Sequence, residues 1–258
     1  MRTCYQPTLL FVMCLGILTI FGSPTFTTNS LAEDKTEQEL VSGEDKSTTN
    51  AAAAREKIQA LGLRDDTVEY QEQPLRWLRE RRSQFLPQLI EGLDNEKTRI
   101  ALGCLEVLDG MTESKDFLQV LLRIAGDHKH PIHKEATLSL CPFAENEPAR
   151  KILEKALIDT ITFDDPQQRA AIAVALDRKT EAVTLLAPLL ESQKEEYKII
   201  ELIRWLGEIG HPSALESLIK FSSDSRWFLA KESYLALAMI DPERYGLTAE
   251  QRQFLTES

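Results

Sequence analysis

The stretch TRIALGCLEVL, Thr98 to Leu108, decides the fold class through what recurs after it. Ala101 is matched thirty-five residues on by Ala136 in KEATLSL (134–140), and thirty-five further by Ala171 in RAAIAVAL (169–176). Steps of thirty-one then reach Leu202 in IELIRWLGEI (200–209) and Ser233 in KESYLALAMI (231–240). Four residues past each position stand Leu105, Leu140, Ala175, Leu206 and Leu237, all apolar. Two residues before stand Arg99, Lys134, Arg169, Ile200 and Lys231, basic at all but one. Self-similarity at this period marks a small structural unit that is repeated.

Each window is preceded by a second amphipathic run: QFLPQLIEGL (84–93), DFLQVLLRIA (116–125), ARKILEKALI (149–158), AVTLLAPLL (182–190) and ALESLIKF (214–221). Their apolar residues fall three and four apart, as in Phe85, Leu89 and Leu93, which is helical spacing. Polar turns such as Asp94-Asn95-Glu96, 126–131 and 164–168 separate the two runs. No stretch alternates with period two long enough to predict a strand. A helix pair of this size cannot bury its apolar face alone. Stacking on neighbours removes that face from water, at about 25 cal/mol per Å². The expected fold is therefore all-α, a right-handed α-solenoid of about five stacked antiparallel helix pairs.

Between two such pairs runs LGEIGHPSALESLIKF, Leu206 to Phe221. Gly210 suits the residue after a helix, where positive φ is needed. His211-Pro212 turns the chain, Pro212 can open the next helix, and Ala214 to Phe221 is that helix. This corner resembles the inter-repeat corner of short HEAT repeats of the phycobilisome-lyase type. LIEGLDNEKTRIALGCL (89–105), with Asp94, Arg99 and Ala101, resembles the helix–turn–helix signature of that family, and DDPQQRAAIAVAL (164–176) repeats it with Asp164 or Asp165, Arg169 and Ala171. The resemblance implies a HEAT-like solenoid from about Ser83 to Asp241. The chain departs from it at Asp127 and His128, which precede an irregular turn, and at Asp177-Arg178-Lys179, where apolar residues and a glycine are usual. Lyases of the family attach bilins, and HEAT-like di-iron enzymes use paired His-Glu dipeptides; no such dipeptide occurs in this chain.

Ahead of the repeat domain (83–258), residues 51–82 read as an N-terminal helical cap. AAAAREKIQAL (51–61) is a strong helix former, and the helical pattern of 64–82 is expected to break at Pro74 and resume through Trp77 and Leu78. Residues 33–50 are acidic and short of apolar side chains, as in a disordered tether. Residues 1–32 read as a secretory signal peptide: Arg2 precedes an apolar run from Leu9 to Phe21, and Ser30 and Ala32 are small residues where cleavage would follow Ala32. An uncleaved N-terminal anchor is the alternative. Cys14 lacks the preceding small residue of a lipoprotein signal. Export permits a Cys104–Cys141 disulfide, but both lie in apolar helical runs, where a buried thiol is the commoner state.

The net charge of −11, from 30 basic and 41 acidic residues, repels nucleic acid and anionic membrane surfaces. The one basic run, Arg76 to Arg82, is interrupted by Glu80. Three of the four histidines, His128, His130 and His133, fall in one turn. Imidazoles ligate zinc, copper or nickel, yet Pro131 places His133 in a helix while His128 and His130 precede it, and Lys129 repels a cation. Asp94 with Arg99, and Asp164 or Asp165 with Arg169, could be acid–base pairs; their recurrence favours ion pairs and helix-end contacts between repeats. Glu201, Arg204 and Glu208 form a mixed face that could recognise a partner peptide. Trp205 and Trp227 read as packing residues. There is no GxSxG, Walker, GxGxxG or CxxC motif.

The expectation is thus a secreted or periplasmic binding or scaffold module, not an enzyme. It has no predicted catalytic, cofactor or metal residues and no cofactor. It presents a concave surface to a protein partner, with no nucleic acid and no stable membrane insertion after cleavage. The alternative is a metal-binding or catalytic helical protein using the turn from His128 to His133. The sequence does not set the oligomeric state.

Overall fold

A computed structural model gives the structure over residues 43–62 and 68–246, with side chains over 50–62 and 73–246. Among the described residues every regular element is helical and none is a strand. The expected signal (1–32), the tether up to residue 42 and residues 247–258 lie outside the described residues. The chain divides into two compact units, 1–139 and 140–258.

The first unit contains α1 (Gly43–Ala60), α2 (Val68–Glu80), α3 (Leu86–Leu93), α4 (Thr98–Leu108), α5 (Lys115–Gly126) and α6 (His133–Leu138). α1 starts inside the stretch expected to be a tether. Ala51 to Ala54 favour helix most strongly, and once a turn has formed each added residue costs little. α2 runs through Pro74, where a break was expected. A proline inside a helix costs about 3 kcal/mol, but Pro74 and Leu78, four apart, both lie on the buried face, and that burial offsets the lost bond.

Each of α1, α2 and α3 is tied to the helix two places along. Arg55 on α1 meets Glu91 on α3 at 3.6 Å. Arg79 of α2 meets Glu106 of α4 at 2.6 Å, and Arg82 donates to the Asp109 carbonyl at 2.7 Å. Arg123 of α5 grips both oxygens of Asp94, which caps α3, at 2.9 and 2.7 Å. The segment expected as an N-terminal cap holds α1 and α2, which these contacts tie to α3 and α4. From α3 to α12 the described helices follow one another as five pairs.

The second unit contains α7 (Glu147–Ile158), α8 (Pro166–Ala175), α9 (Lys179–Ser192), α10 (Glu196–Ile209), α11 (Leu215–Ser222), α12 (Trp227–Ile240) and the short α13 (Pro242–Tyr245). Single 3-10 turns lie at Cys141–Phe143 and Pro212–Ala214. The corner after α10 forms as its sequence predicts: Gly210 has φ +67° and ends the helix, and Pro212 opens the turn into α11.

The repeated columns are the core. Ala101, Ala136, Leu202 and Ser233 are buried, as are Leu105, Leu140, Leu206 and Leu237. The third window is shifted by one residue: Ala170 is buried and Ala171 is half-buried. Two adjacent alanines look alike in sequence; Ile172, Ala173 and Leu176, all buried, set which one faces inward. The half-buried Arg169 shows one use of the basic column. Its Nε donates to the Leu157 carbonyl at 3.1 Å, satisfying a carbonyl left open at the end of α7.

In the five pairs from α3/α4 to α11/α12 the turn is built the same way. A side-chain oxygen accepts the backbone N–H two residues on: Asn95 from Lys97, Asp127 from Lys129, Asp165 from Gln167, Gln193 from Glu195 and Asp224 from Arg226, at 2.9–3.1 Å. Asn and Asp favour such turns because the side chain substitutes for a backbone acceptor.

Candidate interaction surface

Within the second unit, α9/α10 and α11/α12 are stacked side by side in register. Thr180 and His211 pair at 3.2 Å where α9 and α11 begin, and Lys220 donates to Glu191 at 2.6 Å towards their ends. α10 and α12 are tied along their length. Arg226, the residue before α12, reaches Glu196 in the first turn of α10 at 3.3 Å. Midway, Arg204 grips Glu232 through two bonds of 2.8 and 2.9 Å. Further along, Gly207 lies against Ala236. The two second helices therefore run in the same direction.

This register builds a groove between α10 and α12, lined by Arg204, Glu208, Glu232, Leu235, Ala236 and Met239. Its apolar residues all come from α12; its charges come from Arg204 and Glu208 on α10 and from Glu232. Hydrogen bonds from Arg204 hold the Glu232 carboxyl below the usual glutamate range. Burial pushes the Glu208 carboxyl up, and the nearby Arg204 charge opposes this in part. The groove thus combines a paired ion bridge with a carboxylate partly withdrawn from water.

Glu201, Arg204 and Glu208, the mixed face read from sequence, are all exposed on α10 together with Tyr197. The four fall at i, i+4, i+7 and i+11, one stripe of a helix. Sequence reading missed Tyr197, Leu235 and Met239. The signal was the stacking of α10 on α12: the stripe on α10 and its equivalents thirty-one residues on, Phe228, Glu232, Leu235 and Met239, belong to one surface. Trp205 packs in the core at 5% exposure, as expected, but Trp227 does not. It is 64% exposed at the first residue of α12, on a face with no following helix pair among the described residues.

The other sequence candidates are placed as follows. Asp94 pairs with Arg123, not with Arg99, and His130 Nε2 lies 3.5 Å from the same carboxylate. The partner of Asp94 comes from the next pair, which no reading of the local segment reveals. His130 Nδ1 also accepts the Ile132 N–H at 3.4 Å, so its ring is engaged with its own turn and with α3. The rings of His128 and His133 meet edge to face, 5.6 Å apart. Among the described residues no three His, Cys, Asp or Glu side chains are grouped to hold a metal ion. Asp165 caps α8. Cys104 and Cys141 are both buried and are not bridged to each other. Among the described residues no helix is long and apolar enough to cross a membrane.

No protein-family model matches the chain, and no curated protein matches its sequence.

Proposed function

We propose that the protein is a HEAT-like α-solenoid that acts outside the cytoplasm as a binding or scaffold module, offering the exposed side of its second helices to a protein partner. The observation that carries this reading is the groove between α10 and α12, with the stripe Tyr197, Glu201, Arg204 and Glu208 beside it. The side-by-side register of successive pairs within each unit supports the solenoid. Continued along the chain, that register gives an extended concave surface. The apolar run from Leu9 to Phe21 and the small residues at 30 and 32 support export. The net charge of −11 favours protein over nucleic acid. An apolar floor with a charged rim is the usual make-up of a protein-binding patch.

The test is site-specific photocrosslinking in the producing cell, with the photoreactive group at Tyr197 or Met239 and, as control, at the exposed Thr184 on α9. A single protein crosslinked from both groove positions and not from the control, and lost in Arg204→Glu, is the expected result. Equal labelling from all three positions overturns the surface. The mass of the recovered chain tests export separately: removal of residues 1–32 is expected, and an intact leader on a soluble cytoplasmic chain overturns it.

A further inference from the structure

α10 and α12 are the same length and equivalent at a spacing of thirty-one residues, so each position on one has a counterpart on the other. On α10 the stripe turned towards α12 is Glu196, Ile200, Ile203 and Gly207. Glu196 is paired with Arg226, Ile203 is fully buried, and Gly207 lies against Ala236. The counterparts on α12 are Trp227, Lys231, Tyr234 and Ala238. Trp227 is 64% exposed and Tyr234 is 46% exposed. Among the described residues no pair follows α11/α12, and the outer face of a repeat that meets water is usually polar. Here the outer face carries two large aromatic side chains, a small residue where α10 has its close-approach glycine, and no carboxylate.

We propose that this face of α12 is a self-association surface whose occupant is α12 of a second copy of the chain. The stripe is matched to itself. Under a two-fold axis the two helices run antiparallel, and a pairing centred between Glu232 and Ser233 sets Trp227 against Ala238 of the second copy. It also sets Lys231 against Tyr234 of the second copy. The largest side chain meets the smallest, and an ammonium meets an aromatic face. Because the interface is isologous, each match occurs twice. Two chains of net charge −11 repel each other at long range, but no carboxylate lies on this stripe to add to that at contact. The contact continues the α10–α12 packing onto the next face. It goes beyond the export and partner reading and does not depend on it, since the groove and the stripe Tyr197 to Glu208 lie on a different side of these helices.

Sedimentation equilibrium of the purified chain tests it. The chain is expected to dimerise, and the dimer to tighten with added salt as net repulsion is screened. Trp227→Ala and Ala238→Trp are each expected to weaken the dimer by about tenfold or more. The double variant, with the large and small residues exchanged, is expected to restore it. Lys231→Gln, which removes the ammonium without adding a carboxylate, is expected to weaken dimerisation while leaving the circular-dichroism spectrum unchanged, which separates loss of contact from loss of fold. A wild-type chain that stays monomeric to about 100 μM, far above the range of a specific interface, overturns the proposal. So does a dimer indifferent to all three single substitutions, or a double variant no better than its parents.

Discussion

Gly207 of α10 lies directly against Ala236 of α12: a Cβ on Gly207 would sit 2.8 Å from the Ala236 Cα. Because the obstacle is backbone, no rotamer change relieves it. Gly207→Ala gains up to about 1 kcal/mol in helix propensity, but overpacking against a backbone costs about 1–3 kcal/mol, so a net loss is expected. Gly126, at the end of α5, has open space around it, and Gly126→Ala should stabilise by about 0.5–1 kcal/mol. Chemical denaturation of the two variants checks the contrast. A Gly207→Ala chain as stable as wild type would show that the helices can move apart freely.

Asp177 ends α8 with φ +58°, the left-handed region. Its N–H bonds to the Val174 carbonyl at 3.0 Å and the Arg178 N–H to the Ala173 carbonyl at 2.8 Å, the full paired arrangement of a helix C-terminus. An L-residue bears a steric cost there that glycine avoids. Asp177→Gly is expected to raise stability by about 1 kcal/mol, and Gly210→Ala, at φ +67°, to lower it by a similar amount. Urea midpoints of both variants check the opposite signs.

Ser233 is fully buried on α12, and its hydroxyl has no hydrogen-bond partner. The same column holds Ala101 and Ala136. Leaving a buried hydroxyl unsatisfied costs about 1–3 kcal/mol, so Ser233→Ala is expected to stabilise the protein rather than open a damaging cavity. Calorimetry of this variant should show a higher Tm.

The repeat was legible because it rests on local chemistry. The apolar faces at Leu89, Leu202 and Leu237, the glycine at 210 and the side-chain-built turns at Asn95 and Asp224 all act over a few residues. What the sequence could not show depends on distant partners. Asp94 pairs with Arg123 through the next helix pair; Pro74 stays helical on a buried face; Trp227 lies open on α12. The groove needs both Arg204 and Met239, which only the register of α10 on α12 brings together.

Cys104 is fully buried, and burial pushes its thiol up to about 12. The thiolate is the reactive form, so iodoacetamide at neutral pH is expected to leave Cys104 unlabelled in the folded chain and to label it after denaturation. Peptide mapping without reductant is expected to find no Cys104–Cys141 bridge. Rapid native labelling would mean that the core around α4 opens readily.

Arg226 holds Asp224 by two side-chain bonds of 2.9 and 2.8 Å and by its own backbone N–H, and these lower the carboxyl to about 2. The same guanidinium reaches Glu196, so the turn between α11 and α12 is fastened to α10 through a charged Asp224. An unfolded aspartate titrates near about 3.9. The folded state therefore binds fewer protons between these values, and the stabilisation from this pair is complete above about pH 5 and lost as pH falls through about 2. Asp224→Asn keeps an oxygen for the turn but removes the charge. Its stability deficit against wild type is expected to be constant at neutral pH, to shrink from about pH 5 downwards and to vanish near about pH 1. A deficit that persists unchanged at pH 2 would mean that the turn's geometry, and not the charge of Asp224, fastens α12 to α10.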